Sequence, residues 1–270
     1  MNTITAKSYF QIFKTQAERL LSDEQFNLVI SREEQQREIE KLKQTLHYEK
    51  FFFVLTHVGY KIEHVCGLQR WLGYKDSDFD IQRYFGIIHP SHMVAQMTVA
   101  YEMLEGFISG KWPLHFMGER LVNTIALQHA NGEYYLFKRL AWPFQFDSNN
   151  RLISYLNEFT LIGKYNNESY TARFMDINGN AVDWQDELLK STKKSFNGQK
   201  HFSTQEMRIL HKFAGDPKLL PADIARMFKI KESTVLTYKK RILNKAEKLF
   251  HKRFKTTKQV AEHLREQGLV

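Results

Sequence analysis

The stretch L-V-N-T-I-A-L-Q-H-A-N-G-E-Y-Y-L-F-K-R-L-A-W-P-F-Q-F, residues 121–146, decides the fold of the larger part of this chain. Two runs rich in β-branched and aromatic residues flank the short segment A-N-G-E, whose Asn-Gly pair is typical of a tight turn. The stretch therefore predicts two antiparallel strands joined as a hairpin.

Strand-like runs also lie on both sides of this hairpin. Before it come F-F-F-V-L-T-H-V (51–58) and K-I-E-H-V-C (61–66), and after it, beyond the turn D-S-N-N, comes L-I-S-Y-L-N-E-F-T-L-I (152–162). Helical patterns fill the gap between the two groups: short pieces around W-L-G-Y and D-F-D-I-Q-R-Y-F, then a longer helix from Ser91 to about Phe107. We therefore predict a five-stranded antiparallel sheet with helices on one face, an α+β fold.

The segments on either side of this domain lack strand patterns. Residues 1–48 predict helices, with a capping box at Ser31 and Glu34 and a narrow apolar stripe of Ile39, Leu42 and Leu46. Because such a stripe is too narrow to hold a helix alone, it packs either on the next domain or on a second subunit. Residues 165–199 are polar and rich in turn residues, which predicts a linker with one helix over D-W-Q-D-E-L-L-K-S-T-K-K.

Three motifs in the sheet region, in this order, resemble a PAS domain. They are V-C-G-L-Q-R-W-L-G-Y (65–74), I-I-H-P-S-H (87–92) and L-Q-H-A-N-G-E-Y-Y-L-F-K-R (127–139). The resemblance implies a sensory or dimerising module over residues 49–164, without catalysis. The cysteine motif N-C-R-F-L-Q of the flavin-adduct type is absent from the sequence.

A PAS-like fold leaves room for a small ligand between helices and sheet, and the same side chains could instead form a plain core. Metal or haem binding is not expected, because a histidine is more often a hydrogen-bonded structural residue than a ligand. His89 also precedes a proline, so it is not expected to share a helix face with His92. The residues predicted to line such a pocket are Trp71, Phe85, His89, Met93, Met97 and Trp142.

Composition limits the class of protein. Hydrophobic residues make up 43% of 270, enough for substantial cores, and we expect a cytoplasmic protein because neither an export signal nor a membrane span is recognisable. Cys66, the single cysteine, cannot form an intrachain disulfide and is expected to be an inert buried thiol. No phosphate loop, G-x-S-x-G or H-E-x-x-H motif occurs, so an enzyme is not expected.

Charge is unevenly distributed. The residues from Lys190 to the end include 20 Lys or Arg and 7 Asp or Glu, whereas the preceding part holds 19 and 23. A mildly acidic body with a strongly basic C-terminal third is typical of a protein that binds a polyanion.

Within this third, helix signals follow one another closely. Ser203 and Glu206 form a capping box, Gly215 ends the first helix, and Pro221 suits the first turn of a second. A tight turn then leads into E-S-T-V-L-T-Y-K-K-R-I-L-N-K (232–245), so the pattern predicts a helix-turn-helix. On a helical wheel the apolar side of this last stretch holds Val235, Tyr238, Ile242, Ala246 and Leu249.

The other side of that helix is polar and cationic, without an acid between Ser233 and Ala246. An ordinary solvated helix would mix Glu with its Lys for pairing. Such groups reach phosphates and base edges when a helix lies in the major groove. We therefore predict DNA contacts from Ser233, Leu236, Thr237, Lys240, Arg241, Asn244 and Lys248.

Residues 200–270 also resemble the LuxR-type output domain, through F-S-T-Q-E (202–206), D-I-A (223–225), T-V-L-T-Y (234–238) and I-L-N-K-A (242–246). The resemblance implies that Leu236, Thr237 and Lys240 take base-reading positions and that Thr234, Arg241 and Lys245 contact phosphates. It also implies dimer contacts by the last helix. The family's usual Lys after T-V is Leu236 here, so its base preference does not carry over.

These patterns together predict a DNA-binding transcription regulator, acting as a homodimer on double-stranded DNA, with a PAS-like module that senses a signal or dimerises. The alternative is an interaction module whose basic tail binds a protein or an acidic surface and not specific DNA.

Overall fold

The computed structural model describes residues 6–21, 26–198, 202–250, 252–266 and 270. Within these ranges the fold is mixed α+β, with one antiparallel six-stranded sheet and ten α-helices. The predicted boundary between residues 199 and 200, and residues 1–5 of the predicted helical segment, lie outside the described part of the chain.

Two helices precede the sheet, α1 (Ala6–Leu20) and α2 (Arg32–Lys43). The predicted capping box of α2 is formed: the Glu34 amide donates to Ser31 Oγ at 3.2 Å, and the Ser31 amide donates to Glu34 Oε2 at 3.1 Å. Ile39 is buried against one face of the sheet, and Leu42 and Leu46 pack at its margin. The predicted apolar stripe therefore packs on the sheet domain, the first of its two expected positions.

The strands are β1 (Lys50–Thr56), β2 (Lys61–Cys66), β3 (Arg120–Gln128), β4 (Tyr134–Phe146), β5 (Leu152–Lys164) and β6 (Thr171–Met175). They lie in the order β2-β1-β5-β4-β3-β6, and every neighbouring pair is antiparallel. The hairpin β3–β4 turns as predicted at 129–133, where Gly132 takes a φ of 89° that glycine adopts without strain.

The sheet has six strands, and the prediction of five was wrong. Thr171–Met175 lies in the predicted linker, yet it pairs with the free edge of β3, from Arg120 opposite Met175 to Thr124 opposite Thr171. Only Phe174 of this strand is fully buried. A five-residue edge strand with one buried side chain has almost no hydrophobic periodicity, so it could not be predicted from the sequence. Its pairing depends on the exposed backbone groups at the edge of β3.

Four helical pieces connect β2 to β3: α3 (Leu68–Leu72), a 3-10 turn (Asp76–Asp78), α4 (Ile81–Ile87) and α5 (Pro90–Ile108). His89 is the N-cap of α5 and Pro90 its first residue, where a missing N–H costs nothing. The core between the sheet and these helices is strongly aromatic, with Phe51 stacked on Phe159 at 4.5 Å. We call the face of the sheet that packs toward α4 and α5 the inner face.

The C-terminal part is helical: α6 (Gln185–Gly198), α7 (Thr204–Gly215), α8 (Pro221–Phe228), α9 (Glu232–Phe250) and α10 (Thr257–Glu266). α7, α8 and α10 all pack against α9 or each other, and α9 also packs against α5 of the sheet domain. One continuous apolar cluster joins the two parts, from Ala95 on α5 to Ile242 on α9. None of the helices in the described ranges is long and apolar enough to cross a membrane.

Candidate nucleic-acid interface

The turn between α8 and α9 sets the direction of α9. Lys229 is the C-cap of α8 and adopts a left-handed conformation with φ 52°, and the Ile230 amide donates back to Ala225 O at 3.0 Å. This pair of features is typical of a helix that stops and reverses sharply. Ile224 on α8 and Val235 on α9 are both fully buried, so the two helices are held together by apolar packing.

The inward side of α9 is the side predicted from the wheel. Val235, Ile242 and Ala246 are completely buried, and Tyr238 and Leu249 are partly buried against the same cluster. Phe250 extends this stripe by one further position. The helix is therefore anchored along its length by one apolar stripe, and its opposite side is free of core contacts.

The side of α9 away from the core carries most of the predicted DNA-contacting residues. Leu236 is 50% exposed there, and Thr234 is half-buried. The hydroxyl of Thr237 donates to Ser233 O at 3.0 Å, within the helix. The exposed members of the set are Ser233, Leu236, Thr237, Lys240, Arg241, Asn244 and Lys248.

Lys245 differs from the other predicted cations because the structure gives it an internal partner. Its Nζ lies 2.6 Å from Glu206 Oε2, and that carboxylate also accepts the Ser203 amide at 2.6 Å. Burial raises the pKa of the Glu206 carboxyl, but the hydrogen bonds from Lys245 and Ser203 and the charge of the lysine outweigh it, so the pKa is lowered. Lys245 thus links α9 to the first turn of α7. This pairing could not be predicted from the sequence because the two residues are 39 positions apart.

The basic surface continues past the end of α9. Arg253 and Lys255 are exposed, and Lys252 lies over the Phe254 ring with its Nζ 5.7 Å from the ring centre. Glu262 and Glu266 of α10 border the same shallow groove. The charge of this groove is therefore mixed, whereas the exposed side of α9 carries no acid between Ser233 and Ala246.

The six predicted pocket residues are not brought into one cavity. Phe85 and Met97 belong to the aromatic core, and Met93 packs at its edge. Trp71 donates from its indole nitrogen to Leu46 O at 3.2 Å. Trp142 packs with the cluster on the other face of the sheet.

His89 and His92 both have structural partners. His89 accepts the Ser91 amide at Nδ1, 3.2 Å away. His92 accepts the Ala126 amide at Nδ1 (3.1 Å), so its Nε2 carries the proton and donates to Glu168 O at 2.7 Å. Burial lowers the pKa of His92 to about 4, against the hydrogen bond to Glu168, which raises it. No cluster of metal-ligating side chains occurs in the part of the chain that the structure describes.

A cavity does exist beside α5, and of the six predicted residues only Trp142 borders it. Its lining includes the buried Arg139 of β4, which was not among the predicted pocket residues. The available signal was a charged residue in register with the inward-facing Phe137 and Ala141 on a strand that alternates between the two faces.

No family model matches the chain, and no curated protein matches it. Among solved structures, the phage VqmA–DPO complex is 10% identical, with coverage of 87% of this chain and 91% of that one and a TM-score of 0.27. Escherichia coli SdiA is 15% identical, with coverage of 97% and 98% and a TM-score of 0.26. SdiA in complex with octanoyl-rac-glycerol is 16% identical, with coverage of 96% and 95% and a TM-score of 0.25. Likenesses this distant do not decide a family.

Proposed function

We propose that this protein is a DNA-binding transcription regulator that places α9 in the major groove. The observation that supports this most is the exposed side of α9. From Ser233 to Ala246 it carries small polar, amide and cationic groups and Leu236, without an acid. The other side of the helix is anchored by an apolar stripe whose Val235, Ile242 and Ala246 are completely buried. A duplex offers phosphates along both rims of a groove that admits one helix, with base edges at its floor.

Individual roles follow from position along the helix and from the resemblance to LuxR-type output domains. Leu236, Thr237 and Lys240 would face the bases, and Leu236 offers an apolar surface that suits a thymine methyl. Thr234, Arg241 and Lys248 would contact phosphates. Lys245 is left out of this set because Glu206 already neutralises it.

The sheet domain, in this proposal, is a PAS-like module that senses a signal or sets dimerisation. A homodimer would present two copies of α9 to half-sites about one DNA turn apart. The packing of α9 on α5 gives the sheet domain a direct contact with the reading helix, which supports a regulatory role for it.

A selection experiment tests the proposal. The full-length protein is used to select duplexes from a random library, and affinities for a selected and a scrambled duplex are then measured by fluorescence anisotropy. We expect one enriched motif, and we expect Lys240→Ala to weaken binding to it by about 5- to 100-fold while narrowing the ratio between selected and scrambled DNA. Lys75→Ala, which removes an exposed cation from the sheet domain, is the matched control and should leave that ratio unchanged.

Two results would count against the proposal. If no motif is enriched, the basic tail binds polyanions or a protein without reading sequence. If a motif is enriched but Lys240→Ala changes neither affinity nor preference, α9 does not read it through this face.

A further inference from the structure

The inner face of the sheet carries a row of buried polar side chains where an apolar core would be expected. Asn123 on β3 lies opposite Arg139 on β4, and Asn157 on β5 lies opposite Ala141, one inward position further along β4. The exposed fractions of Asn123, Arg139 and Asn157 are 1%, 2% and 0%. Burying a guanidinium without an anion costs free energy, so a charged residue at such a position calls for an explanation.

The neighbours of Arg139 do not neutralise it. Its Nε donates to Asn157 Oδ1 at 2.8 Å, and its guanidinium lies 5.9 Å from the centre of the Tyr155 ring. Its Nη1 is buried and has no hydrogen-bond partner within the described ranges. The Asn157 Nδ2, on the other side of the same hydrogen bond, is likewise buried and unpartnered there.

The nearby carboxylates are engaged elsewhere. Glu158, next to Asn157 in sequence, pairs with Lys50 at 2.7 Å. Glu119, which borders the cavity, accepts the amide of His115 at 2.8 Å and its ring Nδ1 at 2.9 Å. In the part of the chain that the structure describes, no salt bridge involves Arg139, so it is a buried cation without its anion.

A cavity next to Arg139 has space for the anion that this cation lacks. Water-sized molecules have about 40 Å³ of space in it for their centres, room for roughly three heavy atoms of a ligand head. Its polar lining comprises Arg139, Gln96, Tyr155, Tyr60 and His57, together with Glu119 and Arg120, which are engaged by His115 and by Asp176 O. The apolar lining includes one side of α5, with Ala100, Met103, Leu104 and Phe107.

We propose that this cavity binds a small carboxylic acid with a branched aliphatic or aromatic body. Of the unpartnered atoms in this row, Arg139 Nη1 and Asn157 Nδ2 are donors and Asn123 Oδ1 is an acceptor. Among these three residues only Arg139 borders the cavity. Its unpartnered donor calls for an acceptor, and a guanidinium binds a carboxylate through paired hydrogen bonds. The carboxylate lies against Arg139, and the apolar body lies between Met103, Leu104 and Phe107. Met103, flexible and only partly buried, is the side chain that moves to admit the body.

The proposal depends on the proposed sensory role only for its consequence in regulation, because ligand binding is measurable without DNA. Its rival is that Arg139 is structural and that water fills the cavity. The two differ in what removal of the charge does. A structural arginine stabilises the empty protein through Asn157, whereas an arginine kept for a ligand makes the empty protein less stable than an uncharged residue of similar length would.

The experiment uses the full-length protein with sodium benzoate and sodium 3-methylbutanoate as probes, and benzamide and 3-methylbutanamide as neutral counterparts of the same shape. Thermal unfolding is followed against ligand concentration at constant ionic strength. We expect a saturable rise in Tm of about 3 °C or more at ten times Kd for at least one acid, and at least tenfold weaker binding of its amide. Arg139→Met should abolish the response and leave the Tm of the empty protein equal or higher.

Arg173→Met removes an exposed cation from β6 and should leave the response intact. If Arg139→Met fails to fold, Arg139→Lys serves, since it keeps the charge and loses the paired geometry, and we expect at least tenfold weaker binding. The proposal is overturned if neither acid gives a saturable shift, if acids and amides bind equally, or if the arginine variants respond as the parent does. Failure of the ligand experiment together with selective DNA binding would remove the ligand site and leave the proposed function standing.

Discussion

Lys245 and Lys248 are three residues apart on α9, but their surroundings differ in a way that predicts different effects on DNA binding. Lys248 is exposed, and in the described part of the chain no salt bridge involves it. Lys245 is held 2.6 Å from the buried carboxylate of Glu206. If α9 lies in the groove, Lys248 is available to a phosphate, whereas Lys245 would first have to give up an internal ion pair.

The difference between the two lysines can be measured as the salt dependence of DNA binding. Each neutralised phosphate contributes about 0.9 to the slope of log K against log salt concentration, so one contact accounts for a roughly 3.5-fold loss of affinity between 50 and 200 mM salt. Lys248→Gln should therefore flatten the slope by about 0.9. Lys245→Gln should change it by less than about 0.3, although it leaves Glu206 without its cation and should lower the Tm.

The assay is fluorescence anisotropy with one fixed duplex, titrated at several NaCl concentrations between 50 and 200 mM. The temperature is chosen so that circular dichroism shows all three proteins folded. Equal flattening by the two variants would mean that Lys245 leaves Glu206 for a phosphate. No flattening by Lys248→Gln would mean that this end of α9 does not approach the backbone of DNA.

Three further predictions concern stability. Ser203→Ala removes the hydroxyl that caps α7 and should cost about 1 kcal/mol in the free energy of unfolding, measured by urea denaturation. Gly106→Ala places a methyl group in the ring of Trp112, 2.1 Å from its nearest atom, and should cost about 1–3 kcal/mol, whereas Gly86→Ala on α4 meets nothing within 4 Å and should gain up to about 1 kcal/mol. His92, with its folded pKa lowered to about 4, stabilises the fold fully above pH 6.5, and this contribution falls by about 2 kcal/mol at pH 5. His92→Gln should therefore reduce the loss of stability between pH 7 and pH 5.

Each of these has a result that would contradict it. Unchanged stability in Ser203→Ala would mean that the first turn of α7 is capped otherwise. Equal changes in the free energy of unfolding for Gly106→Ala and Gly86→Ala would contradict the close packing of Trp112 on Gly106. A pH profile unchanged by His92→Gln would mean that His92 takes up its proton as readily in the folded protein as in the unfolded one.

Local signals in the sequence were sufficient for most elements. The Asn-Gly turn and the long alternating runs predicted β3, β4 and β5, and the capping boxes at Ser31 and Ser203 predicted the starts of α2 and α7, because all of these depend on residues close together in the chain. β6 depends on an edge that β3 leaves open, which no property of T-A-R-F-M reveals. The pairing of Lys245 with Glu206 likewise depends on how two helices cross.

The candidate ligand site also depends on residues that are far apart in the chain. Alternation along β4 already places Arg139 on the inner face with Phe137 and Ala141, so a buried charge could be predicted from the sequence. Whether that charge is neutralised depends on the register of three strands, which sets Asn123 and Asn157 beside it and no acid. The alternation of side chains along a strand predicts which residues are buried. It does not predict which side chains the fold places beside them, so the lack of an anion beside Arg139 is recognised only in the folded chain.

α5 connects this site to the proposed DNA-reading helix. One side of α5 lines the cavity through Gln96, Ala100 and Leu104, and the helix also packs against α9. A ligand body that enters beside Met103 needs more room than the empty cavity has, and a close-packed helix takes up such a demand by shifting as a unit. A shift of α5 would change the surface on which α9 rests, so occupancy of the proposed ligand site would be coupled to the position of the proposed DNA-reading helix.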